Sequence, residues 1–244
     1  MIRRLHKLWP LAVLMLVLAG CSSNPASHPI NRESGIWDRY FVGPLSDVLD
    51  WFAKVFWGQY GLSILAVTLI VRFLILPLTL KQYKSSKAMQ ALQPEMKKLK
   101  EKYKDDPKKQ QEETMKLFQT HGVNPLAGCF PLIVQMPVLI ALYNSIMRNP
   151  NISGHDFLWL KLGEPDHFYI LPALAAFTTF LQQKVMMATN TNNQMPQMNF
   201  LLFVLPVLIF VMSMNFASAL PLYWVYTNLF TVVQTYLIYR PSKK

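Results

Sequence analysis

Arg72 stands inside residues 62–80, an apolar run interrupted otherwise only by Ser63, Thr68, Pro77 and Thr79. A guanidinium stays charged at any ordinary pH, and holding one near mid-membrane costs roughly 3 kcal/mol or more. The chemistry it offers is electrostatic. A fixed positive charge in a low-dielectric setting attracts an acidic or polar segment. Bond-making chemistry would need other groups. The sequence has no HExxH or GxSG motif and no pair of acidic residues within an apolar stretch, and its five histidines (6, 28, 121, 155 and 167) are scattered outside those stretches. No catalytic residue, metal site or cofactor is expected.

The counter-charge for Arg72 is also missing. Every Asp and Glu lies outside the long apolar stretches, so a structural salt bridge is disfavoured. Neutral polar partners remain. Thr68 and Thr79 fall on the helix face of Arg72. Gln135, then Thr178, Thr179, Gln182 and Gln183, then Thr227, Asn228, Thr231, Gln234 and Thr235 punctuate later apolar stretches. Two outcomes fit. These groups satisfy Arg72 in a dry core, or they line a wet cavity. The second is favoured, because five guanidinium donors need more acceptors than side chains easily bring there.

The elements that must position these residues follow from the hydropathy pattern. The chain has 244 residues, 52% hydrophobic and only 15% charged, with formal net charge +11. That balance excludes disorder and argues for an all-α integral membrane protein. Candidate spans cover about 60–80, 131–147, 168–185, 200–214 and 218–238. The second and fourth are short, which would thin the bilayer locally. Arg72 lies about 12 Å from the far end of the first span, at the helical rise.

The N-terminus reads as an export signal over residues 1–20: Arg3, Arg4 and Lys7, an apolar stretch at 11–18, then Leu18-Ala19-Gly20-Cys21. Small residues before a cysteine, with Ser22-Ser23 after it, resemble the lipobox of bacterial lipoproteins. On that reading Cys21 carries lipid outside the cytoplasm, and cleavage lowers the net charge by three. Cys129 is then the remaining thiol.

Residues 22–41 read as a polar tether. Within 21–57 follows an amphipathic helix with Leu45, Val48, Leu49, Phe52, Val55 and Phe56 on one face and Asp47, Asp50 and Lys54 on the other. With Trp51 and Trp57 nearby, it suits the outer membrane interface. An outside start and five crossings put the C-terminus in the cytoplasm. The loop after the first span carries eleven lysines between Lys81 and Lys116, the loop at 148–167 only Arg148 and Lys161. The positive-inside rule therefore agrees with the export signal.

That lysine-rich loop reads as a mobile helical hairpin over 81–122. Leu92, Met96, Leu99 and Tyr103 form one stripe, and Asp106-Pro107 starts a second helix ending near His121-Gly122. Its lysines suit anionic lipid headgroups, and charge alone does not establish RNA contact as on a ribosome. The loop at 186–199 is polar but carries Met186, Met187, Met195 and Met198, which suits repacking around varied apolar partners or simple filling at the membrane edge.

Three stretches carry a family resemblance: RFLILPLTLKQYKSSKAMQALQPEMKKLKEKY from Arg72, NPLAGCFPLIVQMPVLIALY from Asn124, and LPLYWVYTNLFTVVQ from Leu220. The chain resembles the YidC/Oxa/Alb family of membrane protein insertases, in its Gram-positive lipoprotein (SpoIIIJ-type) branch. The resemblance covers residues 21–240. It implies a five-helix core over 58–239 around an inner-leaflet hydrophilic groove that accepts hydrophilic segments of nascent membrane proteins, alone or with the Sec translocon, and releases their apolar parts into lipid. Arg72 matches the groove arginine, and Gln135 and Trp224 match groove positions. Thr68, Gln183, Asn228 and Gln234 complete the expected lining. The family's ribosome-binding basic tail is reduced here to residues 240–244. No DNA contact is expected. A small anionic-solute transporter is the alternative, opposed by the odd span number and the absence of an internal repeat.

Overall fold

The structure is a computed structural model and describes residues 29–33, 35–123, 130–189 and 196–239. The signal segment with Cys21, the stretch 124–129 with Cys129, the centre of the methionine loop and the tail from Arg240 lie outside the described residues. A π-helical turn, Asp38–Val42, leads into α1 (Gly43–Val55), α2 (Tyr60–Ala91), α3 (Gln93–Lys102), α4 (Pro107–Thr120), α5 (Phe130–Arg148) and a single helical turn α6 (Pro150–Ser153). A two-stranded hairpin follows, β1 (Asp156–Phe157) with β2 (Leu160–Lys161), and then α7 (Ile170–Thr189), α8 (Pro196–Ser213) and α9 (Ala219–Tyr239).

α2, α5, α7, α8 and α9 are helical over the apolar stretches of the sequence. Among the described residues only α2 is long and apolar enough to cross a membrane by length and composition alone. Polar residues dilute α7 (Gln182, Gln183, Lys184) and α9 (Asn228, Gln234). Leu74, Phe177, Phe203, Val207, Val233 and Leu237 point outward, an apolar exterior that suits lipid.

α9 packs between α2 and α7, α8 packs on α7, and α1 crosses α2 and α5. The core gathers at one end of this bundle, where Leu49, Ile64, Leu142, Ile146, Leu171, Leu220 and Leu222 meet. Burying each such side chain contributes about 1.5–3 kcal/mol. The strand hairpin plugs that end: Phe157, Leu160 and Leu162 point inward. Gly61 makes room, since a Cβ there would sit 2.3 Å from the Phe157 ring. Main-chain bonds from Ser218 to Glu164 (2.8 Å) and from Ala219 to Leu162 (3.1 Å) tie the plug to α9. Among the described residues, the α5 backbone does not pack closely along α2 or α9.

Three sequence expectations need correction. The stretch 22–41 is not tether throughout. Residues 36–41 are helical, Trp37 stacks on Phe41, and Asp38 is buried. α1 does not present one apolar face. Leu49 and Ala53 enter the core while Val48, Trp51 and Val55 face outward, and Asp50 is drawn into a network with the Tyr60 hydroxyl (2.7 Å) and Asn149 (2.9 Å). Met186 and Met187 lie on the last turns of α7, so the loop is shorter than 186–199.

The lysine-rich hairpin forms as expected, with one difference at its root. α2 runs unbroken from Tyr60 to Ala91, so the first span and residues 81–91 of the lysine-rich segment are one rod. The break comes at Leu92, because Pro94 has no N–H to continue the α2 ladder and is accommodated instead in the first turn of α3. Leu92 and Phe118 are buried between the arms. Asp106 caps α4 by accepting from the Lys109 amide at 3.1 Å, and Pro107 supplies its first turn. Lys102 and Lys109 both approach the Tyr103 ring. Lys116 is paired with Glu112 (3.0 Å) and Glu113 (2.9 Å), a contact exposed enough to add little stability.

Asp38 is the polar anchor of the plugged end. Both its carboxylate oxygens receive the Arg148 guanidinium, and the Asn31 amide donates at 3.1 Å. Ser145 donates to the Val42 carbonyl at 2.9 Å, joining α5 to the same turn. The Arg148 bond holds the Asp38 carboxyl below the usual carboxylate range, against the opposing effect of burial. A carboxyl lowered on folding stabilises above its unfolded value and loses that contribution as the pH falls through its folded value. Asp38→Asn is therefore expected to cost about 3 kcal/mol near neutrality by stranding a buried arginine. Thermal unfolding in detergent should show the difference from wild type shrinking below roughly pH 4.

Candidate functional site

Arg72 lies twelve residues into α2 and is half-buried. Its guanidinium engages the Tyr223 hydroxyl at the start of α9. The same hydroxyl accepts from Gln135 Nε2 of α5 at 2.5 Å. Tyr223 is 3% exposed, so its oxygen is a fixed point. Side chains of three helices therefore meet at one phenol.

The electrostatics are unbalanced. A phenol oxygen has two acceptor positions, and a guanidinium has five donors. Among the described residues no carboxylate pairs with Arg72. A neutral acceptor orients the charge without cancelling it.

Other expected lining residues divide into two groups. Thr68 is 2% exposed and returns its hydroxyl to the Ile64 carbonyl at 2.6 Å, so it packs rather than lines. Asn228 is also turned inward. Its amide donates to Thr179 (2.8 Å) and Thr178 (3.2 Å), clamping α9 to α7. Both departures have one cause: a short polar side chain on a packed helix finds a backbone or neighbouring hydroxyl before it finds water. Gln135 is brought to Arg72 through Tyr223. Gln234 lies further along α9, with its Nε2 buried and lacking a hydrogen bond, as does the Thr227 hydroxyl. Tyr223, Thr227 and Gln234 recur at helical spacing and form one polar stripe. Gln183 sits half-buried on α7. Trp224, about 100° round the helix from Tyr223, packs edge-on against Phe216, which meets Tyr143 in the same way.

Tyr223 is the residue that sequence reasoning missed. It is absent from the expected lining set. The available signal was its register with Thr227 and Gln234. Its long phenol reaches across to Arg72 from near the start of α9. No group of three His, Cys, Asp or Glu side chains able to hold a metal occurs among the described residues.

A family model described as 60Kd inner membrane protein matches residues 51–244. The chain belongs to the 60Kd inner membrane protein family. Among curated relatives, this member is 54% identical to the membrane protein insertase MisCA of Bacillus subtilis (strain 168), over 99% of this chain and 94% of that protein. It is 52% identical to membrane protein insertase YidC 2 of Bacillus anthracis, over 99% and 96%. A solved structure described as an active YidC insertase with its first transmembrane domain resolved superposes with a TM-score of 0.65 at 28% identity, covering 83% of this chain. The chain spans about half that structure's length, at 47%. Its all-α architecture is that of a membrane protein of this family.

Tyr223→Phe keeps the ring and removes the shared oxygen. Gln135 and Arg72 then lose their common acceptor, at an expected cost of about 1 kcal/mol. The thermal midpoint in detergent should fall slightly while helical circular dichroism stays unchanged.

Proposed function

We propose that the chain is a membrane protein insertase of the bacterial cell membrane that works through the charge of Arg72. The observation that carries the reading is a guanidinium oriented by a neutral tyrosine and unpaired by any carboxylate among the described residues; in this reading it borders a gap left beside α5. Water occupies that gap at rest. An acidic or polar segment of a nascent membrane protein displaces the water and is held partway across, while the client's apolar segment moves into lipid. Low dielectric strengthens the attraction, so one charge suffices.

In this reading α2, α5, α7, α8 and α9 are five crossings. The plugged end faces outside and the gap opens toward the cytoplasm and inner leaflet. Arg72, Gln135, Tyr223 and Gln234 form the polar side, with Gln183 and Trp224 at its margins. Cys21 carries a lipid anchor outside. The lysine-rich hairpin is cytoplasmic, meets anionic headgroups and receives clients from the ribosome or the Sec translocon. No bond is made or broken, so the protein is not an enzyme.

Losing one charge contact of about 1.4 kcal/mol corresponds to tenfold in client engagement. Arg72→Ala and Arg72→Glu should each lower insertion of clients with acidic translocated segments on that scale, measured by protease protection in proteoliposomes. Arg72→Lys should remain near wild type, because charge rather than fork geometry is required. Full activity of the glutamate variant would overturn the reading for those clients. Photo-crosslinkers at Gln135 or Trp224 should capture nascent membrane proteins, an adduct that a transporter of small anions would not form. Deleting part of 84–116 should weaken client engagement while the five helices keep their thermal stability.

A further inference from the structure

Three loop residues adopt positive φ without being glycine: Trp57 (54°), Leu158 (58°) and Tyr169 (57°). Side chains with a Cβ pay for that conformation, and glycine or asparagine is the inexpensive choice. All three are instead large and apolar or aromatic. They are also exposed, by 89%, 74% and 54%. Nothing in the described chain covers them, so their conformational cost is not offset by packing.

They share a location. Trp57 lies in the turn between α1 and α2, Leu158 at the tip of the strand hairpin and Tyr169 just before α7. All three connections belong to the plugged end of the bundle. Each tip continues into an outward apolar surface. Tyr169 stands at the head of the exposed stripe Ile170, Leu174 and Phe177, which descends the lipid-facing side of α7. Trp57 continues the outward face of α1 through Val55 and Trp51, and Leu158 is followed by the half-exposed Trp159. Continuity with the helix exterior selects lipid as the occupant.

We propose that Trp57, the Leu158-Trp159 tip and Tyr169 are a three-point mount in the headgroup–acyl boundary of the leaflet remote from the lysine-rich hairpin. Amphipathic rings favour that layer, where one edge is wet and the other apolar. Three points define a plane, so the mount sets the depth and tilt of the bundle, and through α2 the depth of Arg72.

The proposal rests on the membrane-spanning reading, and the test reads depth rather than insertion. The full-length protein is reconstituted in phosphatidylethanolamine–phosphatidylglycerol vesicles carrying phospholipid brominated near the headgroup or deep in the acyl chain. Tryptophan emission is compared among wild type, Trp57→Phe and Trp159→Phe, conservative variants whose differences report each ring alone, and Tyr169→Trp adds a reporter at the third point. Shallow bromine is expected to quench all three positions more than deep bromine does, with little quenching by aqueous iodide. Iodide quenching of Trp159 or of the position-169 reporter to the extent seen for free tryptophan would overturn the mount. Quenching of the remaining tryptophans by brominated lipid in that same experiment would show the membrane reading intact. Absence of lipid quenching at every tryptophan would overturn both.

Discussion

A charge that is oriented but not cancelled organises this molecule. The Tyr223 oxygen is neutral, fixed by burial and shared between Arg72 and Gln135. A carboxylate in its place would have neutralised the guanidinium and, in a low-dielectric setting, held it permanently. A wholly apolar surround would have been intolerable. The phenol lies between these extremes. It sets direction while leaving most of the electrostatic demand to be met from outside the chain.

The uneven distribution of packing follows from that demand. Core residues concentrate at one end, where the strand plug, α1 and the buried Asp38–Arg148 pair draw the helix ends together. There Asp38 pairs with Arg148, Ser145 with the Val42 carbonyl and Asn149 with Ser46, while Ser63, His155 and Ser213 each keep a buried polar atom without a hydrogen bond. Further along α9, the polar atoms of Thr227 and Gln234 are also left without partners.

Much of this was legible in the residues. The five long helices, the Asp106 cap and the absence of a carboxylate for Arg72 all follow from hydropathy and spacing, because these are local or compositional properties. The failures are tertiary. Asp38 looked like tether because its partner Arg148 is 110 residues away. Thr68 and Asn228 looked like lining because periodicity gives a face but not whether a neighbour occupies it. Tyr223 was passed over because its role depends on reach across a gap, which helical spacing within α9 does not encode.

The unbroken run of α2 has a mechanical meaning. A helix is stiff in torsion, whereas a loop absorbs rotation. Because Tyr60–Ala91 is one element, nineteen residues of continuous helix link Arg72 to the root of the lysine-rich hairpin, a lever arm of about 28 Å at the helical rise. Pro77 is the compliant point within it, lacking one rung of the backbone ladder. A load taken up by the hairpin is therefore not dissipated at the membrane surface. It arrives beside the guanidinium as a small twist or tilt, geared by the position of a single proline.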